Sequence, residues 1–350
     1  MVELIILNNK FEPIGFIDEF TSLIWTRRYY NVGEYELYID SKYFQLLRKG
    51  GYIYSSSFIE VGIIETYSYI KEDSQCTIKG RFIEALLSYR VIDKIQNLNG
   101  TAENIVRNLV NNFAIANKPI NKLQLGNANG LGTSIALQVE YENLCEKIYD
   151  IVATQDLSIR VKYNYEEDKM YFEVWQGIDR TENQSSNSIV VFSDEYENIS
   201  TSTYECNHKE YKNFAYVVGE GEGDIKVITA VDLTNGNERR EIFFEVRDKQ
   251  DELTIEEYKK VLYQKGIEKL YEYGNVENVN TTFNSQSNLK YKVDYDLGDL
   301  CSYVDNELDI AVNQRITEIT EVYENNKHDI SIVFGKEEKT IMQKLNREVK

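Results

Sequence analysis

The sequence predicts a β-rich α+β protein in which two β-rich units are each followed by a helix-containing insertion. Three observations lead there. Short apolar or alternating segments recur at roughly 8–12-residue spacing, punctuated by glycine. The composition holds 27 Tyr and 14 Phe against 2 Pro, which favours strands over linkers. A helical period replaces the strand pattern in only a few places, the first after Asn99-Gly100.

The first 95 residues read mainly as strands. Leu4–Leu7 is short and apolar, Phe16–Phe20 leads into Ser22–Tyr30, and Tyr35-Glu-Leu-Tyr-Ile alternates at period two. Tyr52–Tyr54, Phe58–Ile64, Tyr67–Ile70 and Cys76–Lys79 follow, then a helical turn over Phe82–Ser88 and a return to strand at Tyr89–Ile92. Thr101 is a good N-cap for a helix whose stripe is Ile105, Val106, Leu109, Val110 and Phe113. Gly126–Gly132 is a loop, and a second helix carries Leu144, Ile148, Ile151 and Val152 on one face. Strands resume at Leu157–Tyr163 and Met170–Trp175, before a polar loop over Thr181–Ser188.

From Ile189 to Val246 strands dominate. Asn235-Gly236 predicts a hairpin between Val227–Val231 and Arg240–Val246, because both turn residues tolerate positive φ. Thr254 with Glu257 is a capping box, opening a helix that buries Tyr258, Val261, Leu262 and Leu270. Tyr291–Tyr295, Leu300–Val304, Asn313–Val322 and Asp329–Phe334 read as strands, with Asn325-Asn326 as the last hairpin turn. The charged ending Glu337–Lys350 reads as a short helix or a tail.

Charge and side-chain chemistry exclude several functions. The 350 residues carry 39 basic and 58 acidic side chains, a net charge of −19. Duplex-DNA affinity comes mainly from lysine and arginine displacing counterions, so a general DNA binder is excluded. No apolar run approaches the ~20 residues of a membrane helix, so stable membrane insertion is not expected. The N-terminus has no basic leader or small-residue cleavage site, so no signal peptide is expected.

Cys76, Cys145, Cys206 and Cys301 show no C-x-x-C spacing and are expected as four separate buried or partly buried thiols. Histidine occurs only at 208 and 328, which disfavours a metal centre; no metal or cofactor is expected. Gly219-Glu-Gly-Glu-Gly223 lacks the lysine and hydroxyl of a phosphate loop and reads as a strand crossing or bulge. No G-x-S-x-G or nucleophile–base motif stands out, so no catalytic residues are assigned. Tyr29-Tyr30, Tyr67, Tyr69, Tyr271 and Tyr273 suggest sugar stacking, although core or oligomer contacts suit them better. The basic pairs are scattered and mostly flanked by acids, the pattern of paired surface or interface charges.

Four patterns in order resemble one family. They are Ile24-Trp-Thr-Arg-Arg-Tyr-Tyr-Asn-Val-Gly-Glu-Tyr-Glu-Leu37 and Ile78-Lys-Gly-Arg-Phe-Ile-Glu-Ala-Leu-Leu-Ser-Tyr-Arg-Val-Ile92. Then come Tyr216–Gly223 with Glu238–Asp248, and Asp296–Leu300 with Arg315–Glu324 and Ile332–Gly335. Together they resemble the ReqiPepy-like siphovirus tail proteins, similar to baseplate hub and tail-associated proteins of phages and prophages, over residues 3 to 335.

The resemblance implies a homotrimer whose subunits each supply two tube-like β-barrels. Three chains then form a pseudo-sixfold ring joining a hexameric tail tube or distal tail protein to a threefold spike or fibre protein. The first barrel would be 1–95, an α/β insertion 96–190, and the second barrel 191–248 with 285–340. A helical insertion at 249–284 and a tail at 341–350 complete it. A tape-measure protein is an implied neighbour, and DNA is implied only as passing cargo. The implied location is the virion tail tip or baseplate, after synthesis in the host bacterial cytoplasm.

The family assigns no catalytic residues here, and the peptidase, lysozyme-like or fibre module that relatives carry after the Phe-Gly motif is not expected. Under this reading Trp25, Tyr29 and Tyr35 fill the first barrel or its subunit contact. Arg27, Arg28, Arg239 and Arg315 pair with carboxylates between barrels, and Glu318 and Glu321 lie on a contact strand. Gly33, Gly80, Gly219, Gly221, Gly223 and Gly298 would allow bends as barrels close. A carbohydrate-binding receptor adhesin of the same particle is the alternative.

Overall fold

Period-two alternation shapes the strand Glu34–Asp40: Tyr35, Leu37 and Ile39 are buried while Glu34 and Asp40 face solvent. It pairs antiparallel with Ser22–Arg28 on one side and Gln75–Arg81 on the other, and Thr66–Ile70 closes that edge. Beyond Ser22–Arg28 the ladder continues with Glu318–Glu324, the last part of the long strand Ile310–Glu324. The computed structural model describes residues 2–222, 225–250, 253–284 and 286–336. Gly223 and the expected tail at 341–350 lie outside the described residues. The protein is mostly β with a few helices, as its sequence predicts.

The chain divides into two units, Met1–Gly177 with Glu318–Ile330, and Ile178–Thr317 with Ser331–Lys350. In the first unit a four-stranded sheet orders Pro13–Ile17, Leu4–Leu7, Tyr52–Tyr54 and Gly62–Ile63. One core gathers Leu4, Trp25, Leu37, Ile53 and Ile78. A second runs from Leu7 and Val61 into the helices Ala102–Val110 and Leu144–Ala153 and the strands Ser158–Asn164 and Lys169–Trp175. Thr101 accepts from the Asn104 backbone N–H, and Ile105, Val106, Leu109, Val110 and Phe113 are all buried.

One glycine is fixed by close approach. A Cβ on Gly80 would lie 1.7 Å from the Ile63 carbonyl oxygen, so the Gln75–Arg81 strand passes Ile63 only without a side chain there.

In the second unit Val276–Phe283 pairs antiparallel with Ile199–Asn207 and with Ser331–Lys336, while Leu300–Asp305 pairs with Ile310–Arg315. The capping box at Thr254 forms, with both reciprocal bonds, and starts the helix Ile255–Glu272. Its buried Tyr258, Leu262 and Leu270 cover Ala215, Val217 and Val231 of a three-stranded sheet.

That small sheet corrects the expected hairpin. Asn235 and Gly236 do adopt positive φ, at 46° and 84°. The strands they join, Ile228–Asp232 and Glu241–Glu245, do not pair with each other. Both flank Phe214–Val218, the first antiparallel and the second parallel. This placement turns Ile242 and Phe244 toward the helix core. The glycine-rich segment makes the tight connection instead: Gly219 N–H donates to Val227 O at 2.8 Å, and Val227 N–H to Glu220 O at 3.1 Å. Tyr291–Tyr295 is likewise no strand; it is a turn closed by one bridge between its ends. Asn325 and Asn326, with φ of 51° and 60°, do form a hairpin turn between neighbouring strands.

Candidate functional site

The alternation that buries Trp25 and Tyr35 places the intervening side chains on the opposite sheet face. Across it, Glu318 stands opposite Arg28, Thr320 opposite Thr26, Glu34 opposite Arg81, and Glu36 opposite Lys79. Arg28 lies between two carboxylates, with Nε 2.7 Å from Glu318 Oε2 and Nη2 2.7 Å from Glu34 Oε1. Burial opposes its charge, but these partners prevail and hold the guanidinium above its ordinary pKa. Lys79 reaches Glu36 at 2.8 Å and Arg81 reaches Glu65 at 2.6 Å. The Arg81 bonds hold the Glu65 carboxyl below its ordinary range.

An open groove of about 560 Å³ runs over this face, floored by Ile24 and Thr26 and walled by Glu34, Glu36, Glu65, Lys79 and Arg81. With Glu318 and Glu324, five carboxylates face three cations, and each cation is bonded to a carboxylate. Such a face suits a polar contact with another surface.

The structure brings only some of the sequence-predicted residues to it. Arg28 and Glu318 meet there. Trp25 and Tyr29 are wholly buried within the chain, so packing inside it is what the structure shows for them. Trp25 stacks on Phe58 at 4.3 Å and contacts Tyr35 and Phe82. Tyr29 donates to the Asp156 carbonyl at 3.1 Å; its side chain is not among the exposed tyrosines.

Arg27 is buried against Glu60 at 2.7 Å, and Glu60 also accepts from the Trp25 indole at 3.4 Å. Glu321, also buried, accepts from Tyr323 Oη at 2.5 Å and lies 3.1 Å from His328 Nε2. In the second unit Arg315 donates to the Gly298 carbonyl. Arg239 pairs with Glu241 at 2.7 Å while its guanidinium covers the Phe214 ring at 3.5 Å. The arginines thus have polar partners within the chain.

Sequence reasoning missed Glu36, Glu60, Glu65, Lys79 and Arg81 as members of this network. The signal for Glu36 and Lys79 was the polar half of the same period-two pattern that revealed the core half. The thiols also divide unexpectedly: Cys76, Cys145 and Cys301 are buried, but Cys206 is exposed. Among the described residues no group of three or more His, Cys, Asp or Glu is placed to hold a metal, and no helix is long and apolar enough to cross a membrane.

This arrangement of sheets and insertions is the fold of phage and prophage tail proteins. The chain is similar to the tail protein from Neisseria meningitidis MC58 (11% identity, TM-score 0.57, 96% of each chain covered). It is similar to the 43 kDa tail protein of prophage MuSo2 from Shewanella oneidensis (13%, TM-score 0.57, 96% of this chain and 98% of that one). A third likeness is to prophage tail protein gp18 from Listeria monocytogenes EGD-e (11%, TM-score 0.56, 99% and 98%). Among curated proteins no sequence matches. The chain belongs to the Siphovirus ReqiPepy6 Gp37-like protein family, whose model matches residues 3–336. The resemblance carried by the four sequence patterns is thereby borne out.

Proposed function

We propose that this chain is a non-enzymatic structural hub of a phage tail tip or baseplate. Three copies form a pseudo-sixfold ring that joins the tail tube to a threefold spike or fibre. The observation that carries the reading is fold correspondence with tail proteins, two of them from prophages, over 96% or more of this chain, together with membership of the family. Two barrels per chain, as the family resemblance implies, would let three chains supply six barrels around an axis. A cyclic ring uses heterologous contacts, in which one face meets a different face of its neighbour. The Arg28–Glu318–Glu34 row and the groove beside it offer one such face in the first unit. Paired charges contribute little affinity but fix register and reject wrong partners. The tail tube or distal tail protein, the spike or fibre, and the tape-measure protein are the neighbours this reading assigns.

The test is imaging of an intact particle containing this protein. Three copies, with two similarly folded barrels per copy lining one channel, are expected. Six copies, or a position away from the axis, would overturn the hub reading and favour the receptor adhesin.

A further inference from the structure

We propose that Cys206, His208 and Asn275 form an activated-thiol site, at which Cys206 attacks low-molecular-weight disulfides and becomes a mixed disulfide. The site is independent of the tail reading and is built by strand register. Cys206 lies near the end of Ile199–Asn207, where Asn207 pairs with Val276; continuing the ladder one step sets His208 against Asn275. Cys206 Sγ is 3.0 Å from His208 Nε2, and His208 Nδ1 is 2.9 Å from Asn275 Oδ1. The amide oxygen can only accept, so Nδ1 carries the hydrogen and Nε2 is left as the acceptor facing the thiol. A nucleophile, a base within reach of it and a third group orienting that base are the parts an activated thiol requires.

The surroundings distinguish this cysteine from the others. Cys206, His208 and Asn275 are all exposed, so an electrophile can reach the sulfur. Burial instead pushes the Cys145 thiol up to about 12 and also raises those of Cys76 and Cys301. Charged groups face the site from each neighbouring element. On its own strand, Tyr204 donates to Glu277 Oε1 at 2.8 Å. Glu277 stands opposite Cys206, and Lys336 opposite Glu277. Arg240 Nη1 donates to the His208 carbonyl at 2.9 Å, and Lys209 and Glu210 follow in the chain. A thiolate–imidazolium pair is neutral overall, so Glu277 opposes the thiolate but favours the imidazolium, and Arg240 does the reverse.

In the reaction the Cys206 proton passes to His208 Nε2, and the thiolate attacks one sulfur of the disulfide. A new S–S bond forms as the old one breaks, and the departing thiolate takes the proton from His208. Cys206 is oxidised to a mixed disulfide and the second half of the reagent is reduced to a thiol.

The experiment treats the full chain with hydroxyethyl disulfide, and separately with iodoacetamide, and follows each cysteine by mass spectrometry. Cys206 should react first, at pH 6 at least tenfold faster than glutathione under the same conditions. His208→Ala should abolish that advantage. Asn275→Ala should fall between the two. Circular dichroism checks that each variant folds. A wild-type rate matching glutathione, an unchanged rate in His208→Ala, or equal reaction at the three buried cysteines would overturn the proposal.

Discussion

Glu84 shows how one buried carboxyl sets a pH dependence. It is buried beside Cys145 and Val161; Oε1 accepts from the Val161 N–H at 3.0 Å, while Oε2 has no hydrogen-bond partner. Burial pushes its pKa up from 4.5 to about 7. The folded state therefore binds more protons than the unfolded state between those values. Stability from this group is present below about 4.5 and is lost as pH rises to about 7. The shift corresponds to a loss on the order of 3 kcal/mol. Glu84→Gln removes the titration and keeps an oxygen for Val161. Urea unfolding of the variant should lack wild type's decline between pH 5 and 8, with the variant the more stable at pH 8. Identical pH profiles would show that the carboxyl is not held neutral. None of this was legible in the sequence, where Glu84 is one acid among 58. Its burial depends on Val161, 77 positions away.

At the scale of the element, local chemistry was legible and pairing was not. Thr101 and Thr254 announced their helices because a cap and a 3.6-residue stripe lie within one short segment. Asn235-Gly236 announced a turn correctly, but which strands pair is decided by burying Ile242 and Phe244 against a helix more than ten residues further on. The same contrast sets the size of two mutational effects. Thr254→Ala removes one side of a capping box at an exposed helix end and should cost about 1 kcal/mol. Gly80→Ala drives a methyl group into the Ile63 carbonyl, where backbone must move, and should cost about 3 kcal/mol or more. Thermal unfolding should therefore rank Gly80→Ala well below Thr254→Ala. Equal melting temperatures would mean that the strand carrying Gly80 shifts freely, against the close approach to Ile63.

At the scale of the whole molecule, four ordered sequence patterns sufficed to recognise the family, because they span most of the chain. The division into units was not visible in that way: the chain leaves the first unit after Gly177 and returns to it for Glu318–Ile330. That return supplies Glu318 to Arg28 across 290 positions and completes the charged face. Its completion bears on the remaining whole-molecule property, the net charge of −19. DNA affinity requires cations free to replace the counterions around phosphate. On the described face Arg28, Lys79 and Arg81 are each engaged by a carboxylate at 2.8 Å or less, and the carboxylates outnumber them. A phosphate approaching there must displace a partnered anion and meet the field of the others. The purified protein should therefore leave duplex DNA unretarded in a gel even near ~0.01 M salt, where screening extends over about 30 Å and attraction would be strongest. Micromolar binding that weakens steeply with added salt would reveal a basic surface elsewhere on the chain.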